Sequence, residues 1–232
     1  MSTNKTTAAG PWIAGLIAAL LIPEAASLAQ DEVEWVTTSR GRYEIAIGGN
    51  SWPGLADLDP ARDGEFDELG FSLNLAAHWP VRRFAESELL VGLDLGVLTN
   101  DSNVRFISES LVARNGYLVP SVKWMFGQRH RYSLDAGAGY YLQDIAEVIT
   151  DYPLYGETML WEEGAAGAYL GGTIDFRGGE PSRSHGMTMS LKVHFVDFGT
   201  VRDEQRLPPT LGPDAGRLSG PVYVYQVGYR WR

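Results

Sequence analysis

The chain has 232 residues, room for one barrel- or sandwich-sized domain, and its 29 acids against 19 bases leave a formal net charge of −10, which argues against a non-specific nucleic-acid binder because that task needs a basic field. It contains no cysteine, so disulfide scaffolds, thiolate zinc sites and cysteine nucleophiles are excluded. Its 27 glycines stand beside 7 Trp, 11 Tyr and 8 Phe, richer in both than ordinary soluble cores.

The first element is an export signal. Lys5 is the only charge ahead of an apolar stretch from Trp12 to Ile22, and Pro23 ends that stretch. Ser27 and Ala29 supply the small residues that precede a cleavage site, which predicts a signal peptide over 1–29 cut before Gln30. The stretch is shorter than the ~20 apolar residues that a spanning helix needs. Residues 30–41 then read as a short periplasmic tail, and 42–232 as the folded domain. Export without cysteine fits a bacterial periplasm or outer membrane.

From Arg42 onward the apolar residues alternate with period two, the signature of strands with two unlike faces. In chain order the apolar sets are Tyr43, Ile45, Ile47; then Leu69 to Trp79; Leu89 to Val97; Leu118 to Phe126; Tyr132 to Leu142; Ala166 to Phe176; Met187 to Phe195; and Tyr223 to Trp231. That is eight strands, most about 9–11 residues long, the length that crosses a bilayer at a tilt. The connections alternate as well. Long loops are predicted at 50–65, 99–114, 143–163 and 199–220, and short turns at 81–86, 127–130 and 177–184. Residues 99–114 and 143–160 each have room for a short helix, since Ile145, Val148, Ile149 and Tyr152 carry helical spacing. The pattern predicts an all-β fold: an eight-stranded antiparallel transmembrane β-barrel, an up-and-down meander with four long extracellular loops and three short periplasmic turns.

The composition of the two faces decides which way the barrel points. A soluble barrel keeps its apolar face inside and shows charge to water. Here the other face is small, with Gly70, Gly92, Gly96, Gly137, Gly139, Gly171 and Gly228, and carries isolated charges. Small residues suit a narrow lumen, so Glu44, Glu68, Asp94, Lys123, Asp135, Asp175, Lys192 and Arg230 are expected to point inward and pair as a polar network. The charge-free face is left for lipid. Tyr43, Trp79, Trp124, Tyr132, Phe176, Tyr229 and Trp231 all fall near the short-turn end, as one aromatic girdle requires. Tyr140, Phe71, Phe195 and Tyr223 fall near the other. Arginines crowd the short turns, and the third long loop holds Asp144, Glu147, Asp151, Glu157, Glu162 and Glu163 with no base.

On these features the chain resembles the small eight-stranded outer-membrane barrels of Gram-negative bacteria, the OmpA/OmpX-like superfamily. The resemblance covers residues 42–231 and includes the closing strand Tyr223-Val-Tyr225-Gln-Val227-Gly-Tyr229-Arg-Trp231. That strand is similar to the alternating aromatic signal read by the barrel-assembly machinery, although Arg232 follows the aromatic on which members usually end. The resemblance implies location in the bacterial outer membrane. The implied partners are outer-membrane lipids, lipopolysaccharide and, during biogenesis, the assembly machinery.

Enzyme motifs are absent: there is no G-x-S-x-G, H-E-x-x-H or P-loop in the sequence. His194 is the one weak catalytic candidate. Leu191-Lys-Val-His194-Phe-Val-Asp197 is loosely similar to the strand on which PagL-type lipid A deacylases carry a His-x-Ser pair, but Val196 stands where the nucleophile belongs, and the alternation turns His194 inward near the outer rim. No cofactor and no metal site is expected. The expected role is non-enzymatic: structural, adhesive or envelope-stabilising through the surface loops. A lipid A-modifying hydrolase and a narrow solute conduit are the alternatives.

Overall fold

A computed structural model describes residues 34–35, 40–56, 58, 69–84, 87–101, 109–127, 132–149, 156–176, 185–201 and 216–232. The elements are β1 (Glu34–Trp35), β2 (Arg42–Ser51), α1 (Pro53–Ala56), β3 (Leu69–Arg83), β4 (Glu88–Asp101), β5 (Glu109–Phe126), β6 (Tyr132–Ile149), β7 (Gly156–Asp175), β8 (His185–Val201) and β9 (Gly216–Trp231). From β2 to β9 each strand pairs antiparallel with the next. β9 returns to β2 with Tyr43 opposite Trp231 and Ser51 opposite Tyr223, so the eight strands form a closed ring. Closure leaves no sheet edge along the paired wall, which a lipid-facing sheet requires. β1 stands outside the ring and pairs with Arg82 and Arg83 at the foot of β3, so the predicted tail contributes a two-residue strand. The predicted signal segment lies outside the described residues.

Burial follows the predicted alternation. On β8, Met187, Met189, Leu191 and Phe195 are exposed while Thr188, Ser190, Lys192 and His194 are buried. On β9, Tyr223, Tyr225, Val227, Tyr229 and Trp231 are exposed while Val224, Gln226 and Arg230 are buried. Exposure here is inverted relative to a soluble domain: Leu134 is 53% exposed, Leu170 56% and Leu191 56%, whereas Asp94 is 0% and Lys192 3%.

The strands run further than the sequence predicts, and three long loops shrink accordingly. β4 reaches Asp101 and β5 starts at Glu109; β6 reaches Ile149 and β7 starts at Gly156; β8 reaches Val201 and β9 starts at Gly216. Most of the segment expected as a loop over 143–163 is a hairpin, paired from Gln143 opposite Glu163 to Ile149 opposite Gly156. No described residue in 99–114 or 143–160 is helical. Leu160 is an extra residue on β7 between Met159 and Trp161, which face Ala146 and Ile145, and at this irregularity Ile145 and Ala146 of β6 are both buried. The one described helix, α1, falls in the first long loop and was not predicted. Pro120, which has no N–H to donate, lies where the β5–β6 ladder skips from Leu118 opposite Tyr140 to Ser121 opposite Gly137.

Candidate functional site

The interior has two layers. The layer toward the short turns is polar. Arg230 Nη2 donates to Glu44 Oε2 at 2.6 Å and Arg230 Nη1 to Asp175 Oδ2 at 3.2 Å. Lys123 Nζ approaches Glu44 from the facing wall at 3.6 Å. Lys192 Nζ donates to Asp94 Oδ1 at 2.7 Å and to Asn74 Oδ1 at 3.2 Å, and lies 4.0 Å from Asp135. The structure thus places seven of the eight predicted lumen charges in two linked clusters, and the eighth, Glu68, lies outside the described residues. Every one of the seven is below 9% exposed, so each depends on its partners, because a buried charge left unpaired is costly.

Several members were missed. Arg42 pairs with Glu88, and Arg83 Nε reaches the same carboxylate at 2.9 Å, closing the floor near the short turns. Tyr169 donates from its hydroxyl to Asp94 at 2.9 Å, and Gln226 Nε2 to Ser72 Oγ at 3.2 Å. The inward register of the alternation was the available signal for Asn74, His78, Tyr169 and Gln226. Arg42 and Glu88 sit at strand starts, where that register has not yet declared itself.

His78, Ser121 and Asp94 meet in a way that invites a catalytic reading, and the geometry argues against it. His78 Nε2 lies 3.0 Å from Ser121 Oγ and 3.5 Å from Asp94 Oδ2, so one ring nitrogen faces both partners. A working triad uses the two nitrogens separately, one for the nucleophile and one for the orienting acid. Ser121 Oγ instead donates to Asp94 at 2.6 Å. All three groups are buried.

The layer toward the long loops is built on large apolar side chains, with the amides of Asn50, Asn100, Asn115 and Gln143 buried among them. Trp52, Leu55 and Leu58, from the segment around α1, fold over the mouth and pack with Leu98, Ile145, Leu160, Phe198, Val201, Leu218, Val222 and Val224. Phe198 is the extra residue of a β8 bulge, placed between Asp197 opposite Ser219 and Gly199 opposite Leu218. Gly199 takes a φ of +83° there, a left-handed conformation that glycine adopts without a Cβ penalty. Phe198 continues the inward set of Lys192, His194 and Val196 and packs on Trp52, at a ring separation of 6.0 Å, and against Trp161 at 6.5 Å, while the phase shift after it brings Val201 inward. This plug was not foreseen. Trp52, Leu55, Leu58, Ile145, Leu160, Val201 and Leu218 come from segments that the sequence assigned to loops.

His194 lies beneath the plug, not at the outer rim as predicted, since Val196, Phe198 and Val201 of the same strand pack above it. It is 0% exposed, its Nδ1 faces the Tyr141 hydroxyl at 2.9 Å, and its ring packs against Tyr117 at 4.9 Å and Tyr169 at 5.3 Å. Gly96 makes room for this cluster, because a Cβ there would overlap the Tyr117 ring.

Outside, the predicted girdle residues meet around the short-turn end. Tyr43 packs on Trp231 at 6.0 Å and edge-on to Trp79 at 6.4 Å, and Tyr229 stacks on Trp231 at 6.2 Å. Phe126 bridges Trp124 and Tyr132 at 5.2 and 6.1 Å. Phe176 is 54% exposed on the same side. Between this belt and Phe71, Tyr140, Phe195 and Tyr223, no outward residue of any described strand is charged.

Above the upper aromatics the wall opens. β7 pairs with β8 only from Gly167 opposite Val196 down to Asp175 opposite Thr188. Higher up, β7 stays with β6, and β8 stays with β9. Arg114 on β5 binds Asp144 and Glu157 across the first group, and the Glu157 bond is the main reason that its guanidinium sits above its ordinary value. Asp197 and Arg217 pair across the second, with Nε to Oδ1 at 3.1 Å, and the Arg217 guanidinium holds the Asp197 carboxyl below its ordinary value.

No protein-family model matches the chain, and no curated protein sequence matches it. Among solved structures it is similar to Neisserial surface protein A (NspA), at 10% identity over 83% of this chain and 99% of that one, with a TM-score of 0.44. It is similar to Ail, the attachment invasion locus protein of Yersinia pestis, solved with the heparin analogue sucrose octasulfate, at 10% identity, 83% and 100% coverage and a TM-score of 0.37. It is also similar to the outer membrane protein OprG of Pseudomonas aeruginosa, at 11% identity, 83% and 96% coverage and a TM-score of 0.38. The barrel described above rests on this chain's own strand pairing and faces.

Proposed function

We propose that this chain is a bacterial outer-membrane barrel that works without catalysis, serving a structural, adhesive or envelope-stabilising role through its outer rim. The observation that carries the reading is the inversion of the wall. A charge-free apolar belt encircles the outside between two sets of aromatics, while the inside is cross-linked by buried ion pairs and stoppered by the Trp52 plug. At about 3.3 Å per residue and a tilt near 40°, the ten residue-to-residue steps from Ala166 to Phe176 rise about 25 Å, the height of a lipid-facing apolar band. An exposed apolar surface of this extent has no place in water. Lipids and lipopolysaccharide are its proposed surroundings, and the barrel-assembly machinery its route there.

The closed lumen supports this reading over a solute conduit, since an eight-stranded interior is just wide enough for side chains to fill. The burial of His194 among three tyrosines supports a packing role over lipid A hydrolysis, which needs a base within reach of both nucleophile and substrate. The test is the electrophoretic mobility of the outer-membrane fraction with and without boiling, beside the mass spectrum of lipid A from the same cells. A heat-shifted band with unchanged lipid A is expected. Loss of an acyl chain that depends on His194 would overturn the non-enzymatic reading, and recovery of the protein in the soluble fraction would overturn the membrane reading.

A further inference from the structure

The exposed charges sort by end. Among the described residues, those at the long-loop end are Asp101, Glu157, Glu162, Glu163 and Asp197, with Arg217 bound to Asp197. Those at the short-turn end are Arg40, Arg83 and Arg232, and no exposed acid is described beside them. The cations are densest at the foot of β2, β3 and β4. There the chain sets Arg40, Arg42, Arg82 and Arg83 against Glu88 and, on β1 opposite Arg83, Glu34. Glu88 is buried and shared by Arg42 and Arg83, so one carboxylate serves two guanidiniums. The Arg83 side chain remains 49% exposed after making its bond.

The belt above these cations fixes their depth. Tyr43, Trp79 and Trp231 pack together at this end, and such rings sit at the membrane–water interface. Arg40 stands three residues before Tyr43, and Arg83 four after Trp79. At about 3.3 Å per residue and a tilt near 40°, both lie about 8–10 Å beyond the rings. That is the outer margin of a headgroup layer about 5–8 Å thick, and a long arginine side chain reaches back into it. Two uncharged donors lie beside Arg40. A Cβ on Gly41 would meet Trp79 Nε1 at 2.9 Å and the Tyr43 hydroxyl at 3.0 Å, so the polar ends of both rings converge there. Guanidinium and indole N–H groups only donate, a phenol O–H also donates, and a phosphodiester only accepts.

We propose that the foot of β2 and β3, from Arg40 and Gly41 to Arg83, binds the headgroup of an anionic phospholipid in the leaflet at the short-turn end. The arginines outnumber their acids, so a lipid of net negative charge is favoured over a zwitterionic one that brings its own cation. The proposal deepens the membrane reading and rests on it, and the heat-shifted band separates failure of the one from failure of the other.

The test is native mass spectrometry of the full chain released from detergent micelles, with dioleoyl phosphatidylglycerol and dioleoyl phosphatidylcholine as probes. A saturable phosphatidylglycerol adduct is expected, about tenfold tighter than the phosphatidylcholine one. Arg40→Gln with Arg83→Gln is expected to cut that preference to about twofold or less while keeping the heat shift. Arg40→Glu alone carries the same expectation without touching the bond between Arg83 and Glu88. Arg114→Gln with Arg217→Gln removes equal charge from the other rim and is expected to leave the preference in place, since the belt between the rims exceeds a Debye length of about 10 Å. Equal binding of the two lipids by protein that keeps its heat shift would overturn the proposal and leave the barrel reading intact. An unchanged preference in heat-shifted Arg40→Glu protein would overturn the site. An equal loss in the Arg114 and Arg217 variant would overturn it too, by tracing the preference to overall charge.

Discussion

Lys192 on β8 and Asp94 on β4 stand on opposite walls of the barrel, four strands apart whichever way the ring is followed, yet Lys192 Nζ and Asp94 Oδ1 are 2.7 Å apart. The pair is a strut across the lumen, and it is fully buried. Lys192→Met leaves Asp94 with Ser121, Tyr169 and His78 as partners but without its cation. The expected loss is about 3–5 kcal/mol, typical of a buried pair deprived of one member. Adding Asp94→Leu to Lys192→Met is expected to restore part of that, because the Asp94 charge is removed while Asp135, 4.0 Å from Lys192 Nζ, stays buried. Urea unfolding in lipid vesicles, followed by the heat-shifted band, measures both. Additive losses in the double variant would refute the strut.

The outward face is tested at Leu170, which is exposed and lies midway along the apolar belt. Leu170→Arg is expected to cost about 2–4 kcal/mol in vesicles, the depth-dependent penalty for a cation at the bilayer midplane. In a barrel with its apolar face in water the same change would be neutral. The measurement is the same vesicle unfolding curve, and an unshifted midpoint would count against lipid contact.

Phe198→Ala probes the plug. Deleting a buried Phe commonly costs about 3–5 kcal/mol, but here the loss should be confined to the mouth, because the struts lie in the other layer. The heat-shifted band should persist while limited proteolysis begins to cut between Ser51 and Leu69 and at the tops of β8 and β9. A uniform loss of the folded band would show that the two layers are one cooperative unit.

Asp197 and Arg217 supply a pH dependence that can be read in water. The Asp197 carboxyl is held below its ordinary value of 3.8 by the Arg217 hydrogen bond. A depressed carboxyl contributes stability that is present above its unfolded value and is lost as pH falls through its folded value. Both side chains are largely exposed, so the contribution is small. Carboxyl NMR should place the Asp197 midpoint below 3.8 in the parent, and Arg217→Ala should move it upward. An unmoved midpoint would mean that the pair does not persist in solution.

The barrel was legible in the sequence because its signal is redundant. Every strand between the aromatic belts repeats the same two-faced period, and a one-residue slip in any of them would carry a charged or polar side chain into lipid. Lys192 and Arg230 could be assigned inward from that period alone. The outer third was not legible, for the same physical reason. Above the belts no lipid enforces alternation, so bulges at Leu160 and Phe198 shift the phase, and the strands continue where the simple pattern stops. The plug is hidden further, since Trp52, Leu55 and Leu58 come from a loop and meet β8 and β9 only after the ring has closed.

Val222 to Tyr225 has apolar surroundings on both of its faces. Val222 and Val224 face the plug, and Tyr223 and Tyr225 face outward. Until the barrel has closed in its bilayer, this stretch has no side that water solvates well, and it is uncharged and rich in β-formers, a composition that self-associates readily. Water met before insertion is therefore the hazardous surrounding for this strand, and in refolding experiments it has to enter lipid or detergent faster than it meets another copy.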